Sequence, residues 1–135
     1  MNMRNLHTAL ICILTLILLV RCGTTRSAGK YGEYTKKKVY SQKIPENKIG
    51  VAIYLYDLQS KEELMVSDLK KLPGNVIDSS ENFKLIVFDR DSVPRNIHIE
   101  KPGKTSLLLY PEHKKSKKNL IIFNVFMGPD LKGIL

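Results

Sequence analysis

The sequence predicts an all-β domain, a two-sheet β-sandwich with one added short helix, behind an N-terminal signal peptide. Three observations carry this. From residue 39 onward the chain breaks into short β-branched and apolar runs divided by turn residues. One run, residues 95–100, alternates strictly, with Ile97 and Ile99 on one side and Asn96, His98 and Glu100 on the other. At the front, residues 8–20 are almost unbroken Leu, Ile, Val and Ala behind Arg4, with no acid among the first seven residues. At ~1.5 Å per residue that run spans roughly 20 Å as a helix, short of the ~30 Å hydrocarbon core of a bilayer, which is the proportion of a secretory signal.

The sandwich is built from the following elements. Residues 39–44 are a weak first strand and residues 45–48 a turn. Residues 49–58 are a strong strand, with Val51, Ile53 and Leu55 on one face and Ala52, Tyr54 and Tyr56 on the other. Ser60 to Glu63 reads as a capping box, and Leu64, Leu69 and Leu72 suit a short helix that stops at Pro73-Gly74. Residues 83–88 are a strand apolar on both faces, and residues 89–94 a loop. After the alternating strand, Pro102-Gly103-Lys104 makes a tight turn, residues 105–110 a strand, residues 112–118 a charged loop, and residues 119–127 the most apolar strand, stopped by Gly128-Pro129. Five or six such strands at short spacing predict two packed sheets. The expected core is Leu85, Val87, Ile97, Ile99, Leu107, Leu109 and alternate residues of 120–127.

Composition narrows the function. The 135 residues carry 22 basic and 13 acidic side chains, a formal charge of +9. A signal ending at Arg21 removes Arg4 and Arg21 and leaves 20 − 13 = +7. Nucleic acid is the usual partner of a basic chain, but an exported protein does not meet it. Cys12 leaves with the signal, so Cys22 is the one mature cysteine and has no internal disulfide partner. The expected organisation is a signal over residues 1–21, a lipidated flexible linker over 22–36 rich in Gly, Ser, Thr and Lys, and a sandwich over 37–135.

No pattern of catalysis stands out. There is no nucleophile elbow, phosphate loop, dinucleotide fingerprint or paired-histidine zinc motif. His98 lies on the polar face of its strand and His113 in a lysine loop, and neither has a cysteine to share a metal with. The stretch Asp89-Arg90-Asp91-Ser92 offers oxygens, but Arg90 brings a competing cation, so a solvated turn is expected there rather than a calcium site. No enzymatic activity, metal or cofactor is expected. The clusters Lys36-Lys37-Lys38 and Lys114-Lys115-Ser116-Lys117-Lys118 read either as solvated charge or as contacts, the first with anionic headgroups and the second with an acidic partner.

Leu19-Val20-Arg21-Cys22 resembles a lipobox, with Arg21 standing where the pattern has a small residue. The resemblance implies diacylglycerol on the Cys22 thiol, cleavage before it and acylation of the new amine. Each buried methylene contributes roughly 0.8 kcal/mol, so several chains together make a durable tether. Gly23 in the next position, rather than Asp, implies the outer membrane, with the domain facing the periplasm. An ordinary secretory signal with a free Cys22 thiol is the alternative.

Over residues 39–127 the chain resembles the TssJ family, the outer-membrane lipoproteins of type VI secretion systems, including the pathogenicity-island version called IglE. The features that carry this are the lipobox cysteine and the strand Val51-Ala-Ile-Tyr-Leu-Tyr-Asp-Leu58 followed by Leu64 and Leu69. To these are added the Pro102-Gly103 turn before a Leu-rich strand and the closing apolar strand over 120–127. The resemblance implies a transthyretin-like sandwich and a structural role. The lipoprotein would tether the periplasmic domain of a TssM-like inner-membrane protein, with the loop Ile44, Pro45, Glu46, Asn47 and Lys48 at the contact. A periplasmic ligand- or cell-wall-binding lipoprotein, or an exclusion- or lysis-type lipoprotein, is the rival reading.

Overall fold

The computed structural model describes residues 24–27, 32–112 and 117–130. Cys22, His113, Lys114 and Lys115 lie outside the described residues, as does the signal. Eight strands are described: β1 (Thr24–Ser27), β2 (Gly32–Val39), β3 (Lys48–Asp57), β4 (Asn75–Ser79), β5 (Phe83–Asp89), β6 (Ile97–Ile99), β7 (Leu107–Leu109) and β8 (Leu120–Met127). They form a two-sheet β-sandwich. The large sheet has the order β1-β2-β8-β3-β5-β4, and the small one is the hairpin β6-β7. All pairings are antiparallel except β3 with β8, which run side by side in the same direction.

The core follows from the period-2 rule applied to this register. Ile49, Val51, Ile53 and Leu55 of β3 and Ile121, Phe123, Val125 and Met127 of β8 point inward and are buried. Ile97, Ile99, Leu107 and Leu109 of the small sheet meet them. The alternating strand, the Leu-rich strand and the closing strand therefore have the faces expected from their sequence. Pro102-Gly103 forms the expected turn: the Lys104 amide donates to the Lys101 carbonyl at 3.1 Å, and Gly103 takes a φ of 75° that suits glycine.

Four expectations need correction. First, no helix spans residues 60–72. Asp57 ends β3 by accepting the Gln59 and Ser60 amides at 3.0 and 2.9 Å on one carboxylate oxygen and the Lys104 ammonium at 2.7 Å on the other. The chain reverses there, with Lys61 at a φ of 63°, and returns along β3 through a Tyr56–Glu63 bridge. A left-handed residue inside the first turn is incompatible with a helix start. Residues 64–72 run on as an irregular strap whose Val66, Leu69 and Leu72 close the open side of the core. The one helical element among the described residues is a 3-10 turn, Arg90–Ser92.

Second, the first long strand is β2, which ends at Val39, so residues 40–44, expected as strand, are loop, and β1 precedes β2. The expected flexible linker over 22–36 thus contains backbone of the sheet, and the sandwich begins well before residue 37. Third, in β5 the buried residues are Ile86 and Phe88, while Leu85 and Val87 face outward and are half-buried. The pairing of Val51 with Ile86 fixes that parity. Fourth, β4 forms at the edge from five exposed residues with no apolar alternation, and carries a register shift between Val76 and Asp78 that suits an edge strand.

Two side chains give tests. Tyr34 is 1% exposed, meets Phe123 edge to face with ring centroids 5.5 Å apart, and its hydroxyl has no hydrogen-bond partner among the described residues. An unsatisfied buried hydroxyl costs ~1–3 kcal/mol, so Tyr34→Phe should hold or raise stability in urea unfolding. A clear loss would contradict the placement of that hydroxyl.

Asp57 is the second. The hydrogen bond from Lys104, then those from the Ser60 and Gln59 amides, hold its carboxyl well below the usual carboxylate range. The unfolded chain binds a proton near pH ~3.9 where the folded one does not, so this contribution is present above that pH and is lost progressively as pH falls below it. Asp57→Asn should therefore flatten the fall of Tm with acidification relative to the parent, which a pH series of thermal melts would read.

Candidate interaction site

The small sheet and the strap cover the inner face, and among the described residues the outward face of the large sheet is covered at one end by the loop over residues 40–47; Ala52 is buried there and its apolar neighbours are half-buried. The outward residues are mostly apolar. Leu120, Ile122, Asn124 and Phe126 of β8 lie beside Gly50, Ala52, Tyr54 and Tyr56 of β3, with Phe83, Leu85 and Val87 of β5 beyond. Tyr54 stacks on Phe83 and Tyr56 on Phe126, each with centroids 5.2 Å apart. Burial raises the Tyr56 pKa, helped by Glu63 and Tyr54, so this phenol stays neutral. Charges sit at the margins: Lys37 on β2, the Lys48–Asp89 pair at one end, and Lys61 at the other, 4.7 Å over the Phe126 ring and 3.7 Å from Glu33. An apolar centre with a mixed-charge rim is the anatomy of a protein interface.

The loop over residues 40–47 folds across one end of this face. Ile44 is 4% exposed. A Cβ on Gly50 would stand 2.9 Å from the Ile44 Cδ1 and 3.0 Å from the Leu120 Cδ1, so the absence of a side chain at Gly50 admits Ile44. Asn119, buried at 2%, staples the loop: its amide nitrogen donates to the Ser41 carbonyl at 2.8 Å and the Ile44 carbonyl at 3.1 Å, and its oxygen accepts the Ser41 amide at 2.7 Å. The Lys48 amide closes a turn on the Pro45 carbonyl at 3.0 Å, and the Arg90 side chain donates to the Glu46 carbonyl. Of the loop singled out by the family resemblance, Pro45, Glu46 and Asn47 are exposed, Ile44 is an internal plug, and Lys48 pairs with Asp89. The exposed tip lies at the end of the face where Ile44 meets Gly50 and Leu120.

The other singled-out residues are placed as follows. Lys36 turns inward at 9% side-chain exposure and donates to the Tyr110 carbonyl at 3.1 Å and to Glu112 at 3.3 Å. Lys38 donates to the Glu112 carbonyl. Both tie β2 to the chain leaving β7, so of the first lysine cluster only Lys37 is fully exposed. Lys117 and Lys118 are exposed at the same end as the 40–47 loop. His98 lies outward, 3.0 Å from Glu100. Asp89 and Arg90 are engaged with Lys48 and Glu46 across the 3-10 turn. Among the described residues no group of three or more His, Cys, Asp or Glu is placed to hold a metal ion, and no helix is long and apolar enough to cross a membrane.

Compared with known proteins, the chain matches no family model, no curated protein and no solved structure. The apolar outer face is partly legible in the sequence, since period-2 alternation puts Ala52, Tyr54 and Tyr56 on one side of their strand. The strand order that joins them to Ile122 and Leu85 carries no local signal.

Proposed function

We propose that the protein is an outer-membrane lipoprotein with a structural role. It tethers a periplasmic protein partner through the outer face of its large sheet and the adjoining loop tip. The observation that carries this reading is that apolar face. Three strands ~4.8 Å apart and about eight residues long at ~3.3 Å each give roughly 380 Å². Such a patch is within the ~300–600 Å² range of the largest patch on a monomer, which is often a binding surface, against ~800 Å² per partner in a standard interface. Pro45, Glu46 and Asn47 would extend it. The lipobox-like residues ending at Cys22 support the membrane location, and the TssJ-like order of signals supports a type VI secretion membrane complex with a TssM-like partner.

The test is a partner pull-down with substitutions that leave the core alone. Ile122→Lys and Leu85→Lys place charges in the middle of the outer face, and should abolish co-purification of the partner while the thermal melt stays cooperative. Replacing Pro45, Glu46 and Asn47 with Ala should speed dissociation. Full retention of the partner by Ile122→Lys would remove the outer face as the contact. Recovery of a cell-wall fragment or small ligand in place of a protein would favour the ligand-binding alternative.

A further inference from the structure

The sheet extends almost to the lipidation position. β1 begins at Thr24 and runs antiparallel to β2, from Thr24 opposite Lys36 to Ser27 opposite Glu33. Its first residue therefore lies toward the end of the sandwich where β2 finishes and β3 and β8 begin. Between Thr24 and Cys22 stands only Gly23. Two residues span at most ~7 Å even when fully extended. A chain lipidated on Cys22 has no room to hold this end of the domain away from the bilayer surface.

The same end is the basic one. Its described connections, residues 40–47, 90–96, 110–112 and 117–119, contain Lys43, Arg90, Arg95, Lys117 and Lys118 against Glu46, Asp91 and Glu112, 5 − 3 = +2. The connections at the far end, residues 58–63, 80–82, 100–106 and 128–130, contain three lysines against Glu62, Glu63, Glu81, Glu100 and Asp130, 3 − 5 = −2. Over the described connections the charge is thus polarised along the strands, with the positive end beside the tether. Lys43, Arg95, Lys117 and Lys118 are all exposed there.

We infer that the sandwich stands end-on against the membrane, with this basic rim resting on anionic phospholipid headgroups and the acidic end turned away. The inference rests on lipidation of Cys22. At ~10 Å, the Debye length in 0.1 M salt exceeds the reach of the tether, so the rim charges lie within range of the charged surface. Upright strands turn the outer face of the large sheet sideways, open to a partner that approaches along the membrane.

The experiment uses the acylated protein reconstituted into vesicles. Cys22 is consumed by the lipid, so Gln42→Cys at the basic end and Ser80→Cys at the far end each supply a unique thiol for a fluorophore. Both positions are exposed. The strands separate the two ends by roughly 25–30 Å. Energy transfer to a headgroup-labelled lipid should be severalfold stronger from position 42 than from position 80 in vesicles of phosphatidylethanolamine with phosphatidylglycerol. The difference should shrink in all-phosphatidylcholine vesicles, and likewise when Lys43, Arg95, Lys117 and Lys118 are changed to Glu. Equal or inverted transfer from the two positions in protein that floats with the vesicles would overturn the end-on placement. A difference indifferent to lipid charge and to the charge reversal would overturn the headgroup contact. Protein that carries no acyl chain and does not float would instead overturn the lipoprotein reading itself.

Discussion

Cys22→Ser is expected to abolish fatty-acyl incorporation and to move the protein from the outer-membrane fraction to the soluble periplasmic fraction. The effect should be all-or-none because, on the proposed reading, Cys12 departs with the signal and leaves Cys22 as the only thiol. One acyl chain gives only marginal binding and several give a lasting anchor, so removing the site of attachment removes the whole of that affinity. Metabolic labelling with a radioactive fatty acid, followed by membrane fractionation, reads both consequences. Unchanged labelling of the serine variant would end the lipoprotein reading, and with it the end-on placement on the membrane.

Phe123→Ala is expected to be the most damaging single truncation in the domain. Phe123 is fully buried on β8, which lies between β2 and β3 and is hydrogen-bonded on both sides. Its ring meets Tyr34 edge to face at 71° between planes. Removing such a ring costs ~3–5 kcal/mol in transfer and cavity terms. Set against the ~5–15 kcal/mol that a domain has in all, this leaves a variant close to unfolding at body temperature. Urea unfolding should show a much lower midpoint with an unchanged slope. A shift no larger than that of an outer-face substitution would mean that the two faces of β8 have been assigned the wrong way round.

How much of this is legible in the sequence depends on whether each segment has one apolar face or two. Residues 95–100 alternate strictly between apolar and polar positions, and their buried residues Ile97 and Ile99 follow directly, whereas Leu107, Leu108 and Leu109 are consecutive leucines whose inward pair is set by the pairing with Ile99 and Ile97. Residues 83–88 are apolar on both sides, so alternation does not tell Leu85 and Val87 from Ile86 and Phe88. Only the pairing with Val51 decides it. Residues 32–38 hide a strand because Lys36 and Lys38 occupy inward positions, from which their ammonium groups reach the chain after β7. The false helix has a similar cause. Ser60 to Glu63 has the residue types of a capping box, but Asp57 takes the Gln59 and Ser60 amides first and turns the chain back along β3. The candidate surface is the least legible part. Its residues come from β3, β5 and β8, and nothing local in the chain announces that β8 inserts between β2 and β3.

We propose that the sandwich, anchored by lipid on Cys22, holds a protein partner in the periplasm. This is tested most directly by purifying the protein from membrane extracts and identifying what comes with it. A large inner-membrane protein with a periplasmic domain is expected, retained by the parent and lost from Ile122→Lys. Recovery of no such protein, or its equal recovery with both forms, would contradict it.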